Sequence, residues 1–545
     1  MLRVLGVAIA SVAIVGGSCW AADVPSSSAS GDWLTFGYDQ QRSGWNQGEK
    51  TLTTQSVGRL KLLWSVQLDV PPLDVALSTL TSPVVVGGVS TPQGSKNLLF
   101  AVGINDTIYA IDADSGKVFW QKAFPNPGKP IRAANTNCSN TEQATPVIDR
   151  DKAVIYFTVS DGKLRGLDLA TGEERLAAAQ FVAPFSRNWS LNLVNNVVYT
   201  AAGRGCGGDP EQKIESGAVS AMDISDPLHP VLSRTYTGHG RPAGPWGRGG
   251  PVLGPKGVIV QTADGNHDTA SGVFGNSVIE VTPKAYGVID SFTPASWKNL
   301  NAKDLDLGSG SPVVFPFEGH SLVATSSKEG VVYVLDANNL GGSTPDHSKP
   351  LFQTPRLGND QERYYGRGVW GSLATYIDAD NARHLYVPMW GPPGSAVQFP
   401  LTHGAAPDGS VMAFKVSESG QGVTLVPEWE SANMAVPDNI AVANGVVFAV
   451  QTGEQTVQHP DNPEGHGRAA NGQAALTVDQ LSRFRATPVT NMVLYALDAH
   501  TGKQLYSSGK LLASWVHFSQ PAVALGRVFL VSHDAHVYAF GIPHR

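Results

Sequence analysis

In the stretch TPASWKNLNAKDLDLGSGSP, residues 293–312, two carboxylates, Asp304 and Asp306, alternate with Leu305 and Leu307. If that segment is extended, the two-residue period of a strand turns both carboxylates to one side. Like charges so placed raise each other's pKa unless a cation or hydrogen-bond donors offset them, so the pair asks for a cation. The plain alternative is two solvated turn aspartates. The histidines carry no comparable pattern. His459 and His466 fall in one long connection and His517, His533 and His536 near the end, with no HxH or HExxH spacing. Solvated or turn roles are expected for them, and no metal is assigned to them.

The elements that must position such groups follow from a repeat. NDTIYAIDADSGKVFW, residues 105–120, reads as strand, turn and strand, and the chain rewrites it as GKLRGLDLATGEE, GAVSAMDISDP, GVVYVLDANNLGG and NMVLYALDAHTGKQL. The residue before the AxD-like element recurs as Ala110, Gly166, Ala221, Glu280, Val334, Ala413, Ala496 and Ala539. Each unit holds a β-run, a turn and a second β-run, at the spacing of propeller blades with long loops. The fold expected is all-β, an eight-bladed β-propeller of four-stranded antiparallel blades. The last unit lacks a strand after Phe540, and LKLLWSVQL, residues 60–68, has no blade of its own, so an N-terminal strand is expected to close the ring. Long insertions follow Thr262, Trp390 and Val450; the last contains a capping-box pattern, Thr477 with Gln480. Such loops are expected over one mouth of the channel, around a partly covered site.

Composition agrees with short strands and many turns: 59 Gly, 36 Pro and 16% charged residues in 545. A net charge of -7 without a Lys/Arg run gives nucleic acid or an anionic membrane no footprint. Residues 1–22 read as an export signal: Arg3, an apolar run from Val4 to Gly17, and a cleavage region around Ala22. Residues 23–545 then form one domain. Cys19 as a lipid-bearing cysteine is disfavoured because Gly16 stands where such a site prefers Leu. No later segment has the roughly 18 consecutive apolar residues of a membrane span. Cys138 and Cys206 remain, as a disulfide or as two free thiols.

The order GDWLTFGYDQQRSGWN, AxDxxTG blades, WGRGG, ADGNHD, DLDLGSGSP and KEGVVYVLD resembles the eight-bladed pyrroloquinoline-quinone (PQQ) alcohol dehydrogenases over nearly all the mature chain. The likeness is closer to the branch containing polyvinyl-alcohol dehydrogenase. The resemblance implies Trp246 as the floor under the cofactor ring and Asn266 as a Ca²⁺ ligand through its side-chain oxygen. Asp306 would be the general base on the alcohol, with Asp304 as its acidic neighbour near the metal. Lys328 would hydrogen-bond the quinone oxygens, and the metal-binding glutamate would be Glu211, with Glu215 as the fallback. One stretch departs from the family: RAANTNCSNTEQATPVID holds only Cys138 where two adjacent cysteines and a following arginine are usual. No CxxCH is present to provide a covalent haem. Electrons would therefore leave through a separate acceptor, a cytochrome c or a quinone. The implied function is oxidation of a small or polymeric alcohol in the periplasm or outside the cell. The alternatives are a non-catalytic propeller serving as an envelope scaffold or binding module, and a sugar dehydrogenase of the same cofactor class.

Overall fold

The computed structural model describes residues 31–72, 78–125, 144–203, 217–239, 243–362, 367–420, 422–457 and 476–543. The export signal, Cys138, Cys206, Glu211, Glu215, His459 and His466 lie outside the described residues.

Eight antiparallel sheets, each with a core of four strands, form the eight-bladed propeller. The repeat residues mark the third strand of every blade in turn: Thr107–Asp112, Lys163–Asp168, Ala218–Asp223, Val278–Val281, Val332–Asp336, Gly409–Ser419, Val493–Asp498 and His536–Gly541. Burial orders each blade from inside to outside. In the first blade Thr107–Asp112 is wholly buried, whereas the fourth strand, Val118–Ala123, keeps one edge to solvent. The hydrophobic clusters lie between neighbouring blades: Val84, Phe100 and Ile108 of the first pack with Ile155, Phe157 and Leu167 of the second. Each such side chain contributes roughly 1.5–3 kcal/mol on burial.

The AxDxxTG turn has a packing reason. Trp64, Trp120 and Trp429, on the fourth strands of blades eight, one and six, each donate the indole N–H to a carbonyl in the next blade's turn: Ala113, Leu169 and Ala499, at 3.1, 2.9 and 2.9 Å. The indole lies over the turn glycine, and at Gly502 (φ +72°) a Cβ would meet the Trp429 ring at 2.4 Å. Only glycine takes both the left-handed φ and that approach.

The ring is closed as expected: Lys61–Gln67 pairs antiparallel with His536–Gly541, from Lys61 opposite Gly541 to Gln67 opposite His536. A second tie runs through residues 33–46. Trp33 exchanges two backbone bonds with Val85 of the first blade, and Leu34 accepts from Ile148 of the second. Thr35 donates to Leu191 at the third, and Gln40, Gln41, Ser43 and Gly44 accept from Leu253, Val314, Thr375 and Val442 of blades four to seven. Asn46 donates to Val523 of the eighth. One short segment thus threads past the innermost part of all eight blades.

Strand direction alternates within a blade, so turns joining first to second and third to fourth strands lie at one end. Second-to-third and blade-to-blade connections lie at the other. The capping box also forms: Thr477 and Gln480 bond reciprocally ahead of helix Val478–Arg485.

Candidate active site

Asp264, Asp304, Asp306, Lys328 and Trp246 come together at the end that carries the blade-to-blade connections. Asp264 lies near the end of the second strand of blade four, Val258–Gly265. Asp304 and Asp306 lie between blades four and five, and Lys328 follows the second strand of blade five, His320–Ser326. Trp246 lies between two short strands, Ala243–Pro245 and Val252–Leu253, that both pair with Val258–Gly265 in blade four, its backbone N–H donating to Gln261 at 2.9 Å.

The carboxylate pair is not on an extended segment. Trp297–Lys303 forms a helix, Asp304 ends it in the left-handed conformation (φ 53°), and Asp306 precedes a 3-10 turn, Leu307–Ser309. The carboxylates nonetheless converge, because Lys328 Nζ lies 3.3 Å from Asp304 Oδ1 and 2.5 Å from Asp306 Oδ2. Asp306 Oδ1 accepts from the Asp264 N–H at 2.9 Å. Asp264, Asp304 and Asp306 each offer an oxygen within 4.8 Å of the others.

Two asparagines lock this arrangement. Asn276 donates to Asp264 Oδ1 and Asn301 Oδ1, at 3.2 and 2.6 Å, and accepts from the Leu307 N–H at 2.8 Å. Asn301 donates to the Gly265 carbonyl at 2.6 Å and accepts from its N–H at 3.0 Å. Asn266 takes no part in these bonds; it is exposed in the turn after Gly265. The backbone carrying Lys328 is held as closely: Gly368 has φ +91°, and a Cβ there would meet the Lys328 carbonyl oxygen at 2.1 Å.

Charge is unevenly shared. Burial, then repulsion from Asp306 and Asp304, pushes the Asp264 carboxyl up to about 9. Burial likewise raises Asp304, to about 7, against the pull of Lys328. At Asp306 burial also works against the charge, but Lys328, Asp304 and the Asp264 N–H outweigh it and hold the carboxyl at about 2. With one ammonium among three carboxyl groups, the cluster offers hard oxygen donors of the kind a divalent cation takes.

Aromatic faces complete the site. Lys328 Nζ stands 4.9 Å from the Trp246 ring centroid and 4.6 Å from that of Trp370, and the Arg187 guanidinium is 5.7 Å from Trp246. Trp370 meets Trp246 edge-on (88°) and stacks on Trp390 at 4.8 Å and 7°. The Trp246 Nε1 is buried with no hydrogen-bond partner among the described residues. An indole face flanked by two cations, with an unmet N–H, fits a flat anionic ligand with acceptor atoms.

Sequence reasoning did not single out Asp264, Asn276, Asn301, Trp370 or Trp390. Asp264 stands two residues before Asn266 in the same ADGNHD motif, which was the one available signal. The histidines also differ from expectation. His517 and His533 are only 4% and 6% exposed, His517 paired with Glu454 and His533 stacked on Trp515 at 4.2 Å. Their surroundings are made by blade closure, which local spacing does not record.

Residues 61–226 match a family model described as outer membrane protein assembly factor BamB. Among curated proteins the chain is 28% identical over 209 residues to quinohemoprotein alcohol dehydrogenase ADH-IIG of Pseudomonas putida, covering 36% of this chain and 26% of that protein. It is 32% identical over 148 residues to the dehydrogenase subunit of alcohol dehydrogenase (quinone) from Gluconobacter oxydans (strain 621H), covering 26% and 16%. The chain thus spans about a quarter or less of the length of these relatives. Of solved structures, the Pseudomonas putida HK5 quinohemoprotein ADHIIG superposes with TM-score 0.58 at 15% identity, covering 94% of this chain and 80% of that one. A europium-containing methanol dehydrogenase gives 0.57 at 15%, covering 93% and 89%. The chain is an eight-bladed propeller related in sequence and in fold to the pyrroloquinoline-quinone-dependent alcohol dehydrogenases.

Proposed function

We propose that the protein is an exported quinoprotein oxidoreductase that oxidises an alcohol to an aldehyde or ketone with PQQ and a bound Ca²⁺ ion, passing the electrons to a separate acceptor such as a cytochrome c. The observation that carries this reading is the meeting of Asp264, Asp304 and Asp306 with Lys328 beside the Trp246 face. PQQ, when bound, supplies the hydride acceptor. The chain's own groups bind, orient and move the proton. Trp246 offers the flat floor, and Lys328 and Arg187 offer positive charge to an anionic ligand over it. Asp264 and Asp304 offer oxygen to the cation, with Asn266 and Glu211 as the further ligands that the family resemblance implies.

The proton acceptor from the alcohol hydroxyl is Asp306 by that resemblance. Both of its oxygens are engaged, by the Asp264 N–H and by Lys328. That engagement favours a second assignment, in which Asp306 anchors Lys328 and Asp304 accepts the proton. Asp304→Asn and Asp306→Asn separate the two: the variant at the base loses turnover while still binding PQQ.

The test of the function as a whole is titration of the metal-stripped mature protein with PQQ, with and without Ca²⁺, followed by tryptophan fluorescence and alcohol-dependent dye reduction. Calcium-dependent quenching with turnover is expected. A folded protein that binds no PQQ at micromolar concentration would sink this reading and favour an envelope binding module, the alternative supported by the family model matched at residues 61–226.

A further inference from the structure

A second cluster of ligating groups lies at the opposite end of the propeller, between blades six and seven. Asp378 sits in the turn between the first and second strands of blade six, Ala374–Ile377 and Arg383–Trp390, and His384 on the second of these. His500 lies in the turn between the third and fourth strands of blade seven, Val493–Asp498 and Gln504–Ser507. These turns belong to the end away from Asp304 and Lys328.

Asp378 is oriented by its own turn. Its Oδ1 accepts from the N–H groups of Asp380 and Ala382, at 2.9 and 2.8 Å, which leaves Oδ2 facing the two imidazoles. Asp378 Oδ2 lies 2.9 Å from His384 Nε2 and 3.8 Å from His500 Nδ1. A tetrahedral ion with bonds of about 2.0–2.1 Å sets its ligands about 3.3 Å apart, between those two distances. All three ligand atoms lie within 4.8 Å of one another.

The ring that would bind deepest is already held as a ligand ring is held. His384 Nδ1 meets Glu428 Oε2 at 2.7 Å, the carboxylate partner that fixes the tautomer with Nε2 toward a metal. The His384 ring stacks against Tyr376 and Tyr386, at interplanar angles of 30° and 15°. His384 is buried, whereas the His500 side chain is 50% exposed and gives an ion its way in.

We propose that Asp378, His384 and His500 bind a divalent transition-metal ion, Zn²⁺ or one of its class, with water completing the shell and Glu428 as the positioning residue behind His384. On binding, His384 Nε2 exchanges the proton it shares with Asp378 for the metal, and that proton leaves to solvent. The ion would staple blade six to blade seven. Two imidazole nitrogens and one carboxylate suit such an ion better than Ca²⁺, which takes oxygen donors.

The test is titration of the metal-stripped mature protein with Co²⁺ in the presence of excess Ca²⁺, read as visible d–d absorption and followed by competition with Zn²⁺. One equivalent giving a tetrahedral spectrum, displaced by Zn²⁺, is expected. His500→Ala, at a half-exposed position, is expected to abolish it while leaving the Tm of the metal-free protein within a few degrees of the native value; Glu428→Gln is expected to weaken it about 10–100-fold. Asp264→Asn, at the other end of the molecule, is expected to leave it intact. No absorption in the native protein, or a band that survives His500→Ala, would overturn the assignment.

Discussion

Lys328 is the residue on which the candidate site's charge turns, with a side chain 1% exposed between Asp304 and Asp306. Removing one partner of a buried ionic cluster leaves the others unpaired, at a cost of roughly 3–5 kcal/mol. Lys328→Met is therefore expected to lower the Tm of the metal-free protein, and saturating Ca²⁺ is expected to recover part of the loss by supplying positive charge to the same oxygens. Equal losses with and without Ca²⁺ in a calorimetric scan would show that no cation reaches the carboxylates. A complementary pair of variants separates binding from chemistry. Asp306→Asn is expected to retain PQQ and, if Asp306 is the base, to lose on the order of 10²–10⁴ in turnover. Trp246→Ala is expected to weaken PQQ binding first, measured by calorimetric titration. Equal PQQ affinity in Trp246→Ala would remove the floor assignment. Asp304, Asp306, Lys328 and Trp246 could be named as candidates because each stands in an ordered motif, and the fold brings the four together. Asp264 could not, because an aspartate beside glycine reads as a turn residue until the strands bring it to Asp306.

At the scale of elements, the regular blades were readable and the irregular connections were not. Each third strand carries a short buried run ahead of an AxD-like turn, a local signal that survives folding unchanged. Helix Trp297–Lys303 gave no such signal: it is short, its N-terminal neighbour Ser296 makes no capping bond, and the DLDL alternation after it imitates a strand. The turn glycines make a prediction at this scale. Gly502→Ala forces a side chain into the left-handed region, at about 1–2 kcal/mol, and against the Trp429 ring, at a further 1–3 kcal/mol or so. Its Tm is expected to fall by several degrees. Gly319→Ala, also at positive φ but with open space around it, isolates the backbone part of that cost. The turn carboxylates set an acid limit. Hydrogen bonds from Lys284 and Ser225 hold the Asp223 carboxyl at about 2, below its ordinary value of 3.8. Because the folded value is depressed, the stability it contributes is present above about pH 4 and is lost as pH falls toward 2. The Tm gap between the native protein and Asp223→Asn is therefore expected to narrow across that window, and a gap independent of pH would remove the ion pair from the account.

At the scale of the whole molecule, two segments at the start of the described chain hold the ring in different ways. Lys61–Gln67 supplies the outer strand of blade eight, so its loss would bare the row of backbone groups on His536–Gly541. An open edge of that kind pairs with other chains. Residues 33–46 add no blade strand. They thread past the inner ends of the blades and tie each to a common segment, with Arg42, 1% exposed, bonded to Thr35, the Phe36 carbonyl and the Leu191 carbonyl. Closure was legible as a missing strand and an unplaced one, whereas the thread was not, because its partners are spread over the sequence from Val85 to Val523. The two roles predict different failures. A chain beginning at residue 50 keeps the closing strand and is expected to remain monomeric, with a lower Tm and less cooperative unfolding. A chain beginning at residue 70 loses both ties and is expected to form higher oligomers at the concentration where the first stays monomeric. Light scattering coupled to gel filtration, with a thermal scan of each fraction, distinguishes them. If both truncations aggregate alike, the thread and not the strand is what keeps the ring closed.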